Sequence, residues 1–113
     1  MSYKIVTSGV YQRHLKDLAD KHRSLKKDIE KLYNTLEENP HQGILIMENV
    51  YKIRLAITSK GRGKSGGARV ITYTLDDLEK LILLDIFDKS EEENISKKRI
   101  QTIIDSFDFD EEE

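Results

Sequence analysis

The chain has 113 residues, 37% apolar and 35% charged, which suits one domain with a modest core and is too small for two. It contains no cysteine, so disulfides and thiolate metal sites are excluded. No apolar run approaches the ~20 residues of a membrane span, and no basic-then-apolar signal pattern opens the sequence, so a soluble cytoplasmic protein with no membrane partner is expected.

Residues 3–7 read as a short opening strand, after which Ser8 and Gly9 offer a turn and a cap. Tyr11, Leu15, Leu18 and His22 recur at i, i+4, i+7 and i+11, one face of an amphipathic helix. Ser24 is placed to cap a second helix, whose stripe is Leu25, Ile29, Leu32 and Leu36. Asn39-Pro40 stops it, because the residue before proline avoids helical backbone. Two antiparallel helices follow from the short connection.

From Gly43 the period changes to two. Tyr51, Ile53, Leu55 and Ile57 alternate with Lys52, Arg54, Ala56 and Thr58, a half-buried strand over residues 49–58 with cations on its polar face. Residues 60–67 (Lys-Gly-Arg-Gly-Lys-Ser-Gly-Gly) form a loop, residues 68–75 a further strand, and residues 80–87 a nearly continuous apolar strand expected at the sheet centre. Ser96 caps a last helix with Ile95 and Ile100 placed as a hydrophobic staple, and its stripe is Ile100, Ile103, Ile104 and Phe107. The fold class is α+β: two N-terminal antiparallel helices on a mainly antiparallel twisted sheet, plus a C-terminal helix. One domain is expected over residues 1–107, with Asp108–Glu113 as an acidic tail.

The net charge of −2 conceals an uneven distribution. Residues 1–48 carry 8 basic and 7 acidic side chains, residues 49–75 carry 6 basic and none acidic, and residues 76–113 carry 5 basic and 14 acidic. Local field rather than net charge steers an anionic ligand, and an ordinary solvated face would mix signs. Lys52 and Arg54, two apart on a strand, point to one face. Arg69 opens the next strand and comes close if the two strands pair as a hairpin. Three convergent cations would grip a phosphodiester and stabilise its developing charge.

Other motifs carry less. The glycine loop ends in Gly63-Lys64-Ser65, but Thr58 stands where the first glycine of a P-loop belongs, and a strand follows where a helix is required. His14, His22 and His41 lack metal-ligand spacing, so no metal and no cofactor is expected, and structural or surface roles are assigned to them. Lys97, Lys98 and Arg99 open the last helix at the end its dipole disfavours for cations. Tyr11, Tyr33 and Tyr51 read as core, as does Tyr73, which is also a candidate for stacking on a base.

Four stretches together resemble the RelE/ParE toxin superfamily, closest in flavour to its HigB-type branch. They are Tyr51-Lys52-Ile53-Arg54-Leu55, Lys64-Ser65-Gly66-Gly67, Ala68-Arg69-Val70-Ile71-Thr72-Tyr73 and Ile86-Phe87-Asp88-Lys89-Ser90-Glu91. Their order after two helices and Asn39-Pro40 fits as well, and the resemblance covers most of residues 10–100. It implies the toxin of a toxin–antitoxin pair, partnered by a cognate antitoxin, that acts as a ribosome-dependent mRNA endoribonuclease and blocks translation. In that chemistry a 2′-hydroxyl attacks the adjacent phosphate without metal or cofactor. Lys52 and Arg54 would then be the basic pair of the site strand, Arg69 the phosphate clamp and Lys89 the basic residue that ends the last strand. Lys60, Arg62, Lys64 and Tyr73 would contact RNA. The chain departs from the family in having no Tyr or His from residue 91 onward and in its sequence pI near 5.9. Two alternatives stay open: a non-enzymatic inhibitor of DNA gyrase in the ParE manner, and an inactive module that only binds an antitoxin.

Overall fold

The computed structural model describes residues 2–61, 63–92 and 94–107. Arg62 and the tail 108–113 lie outside the described residues. The elements run β1 (Lys4–Thr7), α1 (Gly9–Lys21), α2 (Leu25–Glu38), β2 (Ile44–Met47), β3 (Val50–Leu55), β4 (Ala68–Leu75), β5 (Lys80–Asp88) and α3 (Lys97–Ser106), with short 3₁₀ turns flanking β4. The sheet order is β1-β5-β4-β3-β2. β3, β4 and β5 form the antiparallel meander that their spacing anticipates, β2 adds to its edge antiparallel to β3, and β1 pairs parallel to β5.

Each face of the sheet carries its own core. Tyr11, Leu18, Leu25, Ile29, Leu32 and Leu36 of α1 and α2 pack on Ile53, Val70, Leu81, Leu83 and Ile86. A hydrogen bond of 2.8 Å between Tyr11 and Tyr33 hydroxyls joins the start of α1 to the second half of α2, which fits the antiparallel arrangement. On the opposite face, Ile100 and Ile103 of α3 pack on Val50, Ile71, Ile82, Leu84 and Phe87. β5 is buried along nearly its whole length, which is why its sequence shows no alternation.

Capping follows the sequence at two helices of three. Ser8 accepts from the Tyr11 N–H at 3.0 Å, and Ser96 accepts from the Arg99 N–H at 3.1 Å. Ser24 does not cap α2; its own backbone is already helical. Its hydroxyl accepts from the Ser59 N–H (2.8 Å) and donates to Asp28 (2.8 Å), and Asp28 also takes the N–H and hydroxyl of Thr58. This clamp ends β3 at Leu55, so the strand expected over 49–58 is shorter, and Ile57 is buried beyond its end.

Two further features differ from expectation. β2 is an unforeseen edge strand, because the apolar run Ile44–Met47 has no period-two pattern to mark it. Gly43 turns the chain into it with φ +100°, where a Cβ would also stand 2.6 Å from the Lys52 carbonyl oxygen.

Candidate functional site

The hairpin register determines the site. β3 and β4 pair with Arg54 directly opposite Arg69 and Lys52 opposite Ile71, so Lys52, Arg54 and Arg69 share the sheet face that α3 partly covers. Beyond the end of α3 that face opens into a hollow of ≈ 280 Å³ lined by Lys52, Arg54, Ser65, Arg69, Lys89 and Asn94. Of these six lining residues, all among those described, four are cations and none is a carboxylate. Like charges directly opposite across a ladder are destabilising, and an anion seated between them would remove that penalty.

The four cations are held differently. Arg69 is only 4% exposed. Its guanidinium donates to the carbonyls of Lys64 (2.9 Å), Ala68 (3.1 Å) and Ser65 (3.4 Å). Three of its five donors are thereby committed, two to the glycine-rich loop and one to the first residue of β4. Burial first, and the Arg54 charge second, lower its pKa from the ordinary arginine value; a guanidinium keeps its proton regardless. Arg54 is exposed, and among the described residues no carboxylate pairs with it. Lys52 donates to Asn94 Oδ1 at 3.1 Å. Lys89 follows β5, and its N–H donates to the Gly67 carbonyl at 3.0 Å, which sets the end of β5 against the loop. Gly67 itself must lack a side chain, because a Cβ there would overlap the Leu55 carbonyl oxygen.

The other sequence candidates lie elsewhere. Lys60 turns away from the hollow to donate to Asp88 Oδ1 at 2.9 Å. Lys64 lines a neighbouring cleft with Asp28, Lys31, Thr35 and Gln42, and Arg54 borders both. Tyr73 sits four residues along β4 from Arg69, roughly 13 Å away at strand spacing, and packs on the α3-side core.

The sequence did not reveal Ser65 and Asn94 as lining residues, nor the partners of the histidines. His14 Nδ1 meets Asp85 Oδ1 at 2.6 Å, His22 Nε2 meets Asp88 Oδ2 at 3.1 Å, and His41 Nε2 meets Asp76 Oδ1 at 2.8 Å. These contacts span 71, 66 and 35 residues of chain, so no local spacing announces them. Asp88 accepts from Lys60, His22, and the N–H and hydroxyl of Ser90. Burial pushes its carboxyl up, but the Lys60 and Ser90 hydrogen bonds and the Lys60 charge outweigh burial and hold it at about 2. Asp88 thus ties the C-cap of α1 and the residue-60 turn to the strand end that carries Lys89. Among the described residues no group of three His, Asp or Glu side chains is arranged to hold a metal ion, and no helix is long and apolar enough to cross a membrane.

Comparison with known proteins finds no family profile that matches the sequence. Solved structures do match the fold. A mutant of the Escherichia coli toxin RelE in the free state superposes with a TM-score of 0.60 at 16% identity, covering 82% of this chain and 90% of that one. The isolated E. coli RelE toxin gives 0.57 at 16% identity, covering 94% and 100%. The toxin–antitoxin complex RelBE2 of Mycobacterium tuberculosis gives 0.56 at 16% identity, covering 78% and 92%. The chain therefore has the RelE-like fold.

Proposed function

We propose that this chain is a toxin of the RelE/ParE superfamily, the active half of a toxin–antitoxin pair, and that it cuts mRNA on the ribosome without a metal or cofactor. The observation that carries the reading is the hollow, where Lys52 and Arg54 of β3, Arg69 of β4 and Lys89 just after β5 converge and no carboxylate stands among the described lining residues. The RelE-like fold supports the toxin assignment, and the toxin–antitoxin complex among its structural neighbours supports a cognate antitoxin as partner. The structures compared carry RelE names, so the HigB-type placement rests on the sequence motifs. A ribosome-bound role implies a cytoplasmic location.

The chemistry follows from which lining groups can move a proton. Arg54 and Arg69 stay charged and suit the non-bridging phosphate oxygens. Ser65 and Asn94 are neutral. The proton carriers are therefore the two lysines. Lys52, as free amine, takes the proton of a 2′-hydroxyl; O2′ attacks the adjacent phosphorus; the P–O5′ bond breaks, and O5′ takes a proton from the Lys89 ammonium. The products are a 2′,3′-cyclic phosphate and a 5′-hydroxyl, with one proton moved from Lys52 to Lys89 through solvent to reset the site.

The test is inducible expression with mapping of mRNA 5′ ends, beside plasmid supercoiling. Cuts in translated message are expected, with a loss of about 100-fold or more in Lys52→Ala and in Arg54→Ala. Both side chains are accessible to solvent, so neither substitution opens a core cavity. One feature favours a second reading: the hollow offers no imidazole or phenol as acid. A ParE-like gyrase inhibitor would need none, and relaxed plasmid with intact message would replace the nuclease reading with that one. Normal growth with both intact would leave a module that only binds an antitoxin.

A further inference from the structure

The segment between β5 and α3 contributes one more side chain to the hollow. Asn94 Oδ1 accepts from Lys52 Nζ at 3.1 Å, across 42 residues of chain. The elements around Lys52 otherwise present Ile44 from β2, Ile71 and Arg69 from β4, Arg54 from its own strand and Lys89 from the end of β5. Asn94 and Ser65 are the neutral polar side chains among the described lining of the hollow, and Asn94 accepts a hydrogen bond from this amine. The side chain that meets Lys52 here is an amide rather than a carboxylate. The difference has chemical consequences. A carboxylate there would hold Lys52 as an ammonium and repel an incoming phosphodiester. An amide oxygen fixes one N–H direction and so sets the rotation about the Cε–Nζ bond, while adding no charge.

We propose that Asn94 is a positioning residue, which orients the Lys52 amine toward the 2′-hydroxyl of the nucleotide whose phosphate Arg54 holds. The proposal rests on the nuclease reading above, in which Lys52 is the proton acceptor. Asn94 does not touch the reacting atoms; it acts through Lys52. Because it is exposed and lies outside helix and strand, its replacement leaves the fold in place.

The test uses purified full-length protein and ribosomes programmed with a defined mRNA. Single-turnover cleavage is followed from about pH 6 to about pH 10 for wild type, Asn94→Ala, Asn94→Asp and Lys52→Ala, with a thermal melt of each. Asn94→Ala is expected to cut about tenfold more slowly at saturation, with half-saturation changed by less than about twofold, because orientation and not binding is lost. Asn94→Asp is expected to move the rising limb of the pH–rate profile up by about one unit, the direction a new neighbouring carboxylate imposes on an amine. A merely structural asparagine would leave the Asn94→Ala rate at the wild-type value. Wild-type rates in Asn94→Ala, or an unmoved profile in Asn94→Asp, would overturn the assignment while leaving the nuclease reading intact. Uncut message with wild-type protein would defeat the nuclease reading and this inference together.

Discussion

At the scale of single residues, the site depends on an unfavourable arrangement that other contacts maintain. Arg54 opposite Arg69 is a like-charge cross-strand pair, a placement that costs a few tenths of a kcal/mol or more. Backbone carbonyls of the glycine loop and of Ala68 stabilise Arg69 within it. Asp88 plays the converse part, as a buried carboxylate whose donors converge on it. Its folded pKa of about 2 lies below the ordinary 3.8. The stability it confers is therefore complete above about pH 4 and is lost as pH falls through the range between those values. The shift corresponds to about 2 kcal/mol. Melting wild type beside Asp88→Asn should show a stability gap of that size near neutrality that narrows between about pH 4 and about pH 2. A gap that stays constant with pH would mean that the carboxyl charge is not what the hub uses.

At the scale of elements, the glycine-rich loop is a fitted piece that joins β3 to β4. Arg69 holds two of its carbonyls, the Gly67 carbonyl takes the Lys89 N–H, and Gly67 lies against the Leu55 backbone. A methyl group at residue 67 cannot be met by a side-chain rotation, because the atoms it would strike are backbone. Gly67→Ala should therefore destabilise the protein by about 1–3 kcal/mol. It should also separate Lys89 from Lys52 and Arg54, with cleavage falling further than stability alone explains. Thermal melts and cleavage rates compared at a temperature where the variant is folded would check this; wild-type cleavage by the folded variant would show that the loop does not set the site. The loop's sequence announces flexibility, yet its contacts make it a spacer. Ser24 illustrates the same lesson, since a residue placed to cap α2 is diverted to the clamp that ends β3.

At the scale of the whole molecule, a chain of net charge −2 presents a cationic hollow because Lys52, Arg54, Arg69 and Lys89 gather there with no carboxylate among the described lining residues. Binding to single-stranded RNA should accordingly weaken with salt. For about four neutralised phosphates the slope of log K against log salt is roughly −3, and Arg54→Ala should reduce its magnitude by about 0.7. Fluorescence titration of a labelled RNA strand at several salt concentrations measures both, and a slope near zero would exclude the hollow as a backbone-binding surface. The sequence alone determined the helices, the meander and the common face of Lys52 and Arg54, because periodicity and turn chemistry are local and each element must bury its own apolar side. It also supplied Arg69, since a hairpin places the start of one strand beside the end of the last. The tertiary structure decided the rest: the parallel pairing of β1 with β5, the unmarked edge strand β2, the arrival of Lys89 and Asn94 at the hollow, the diversion of Lys60 to Asp88 and the three histidine–aspartate pairs. Apart from β2, which folds back locally onto β3, those contacts close long stretches of chain. Their free energy comes from the docking of already formed elements rather than from any neighbouring residue, so no local pattern can encode them.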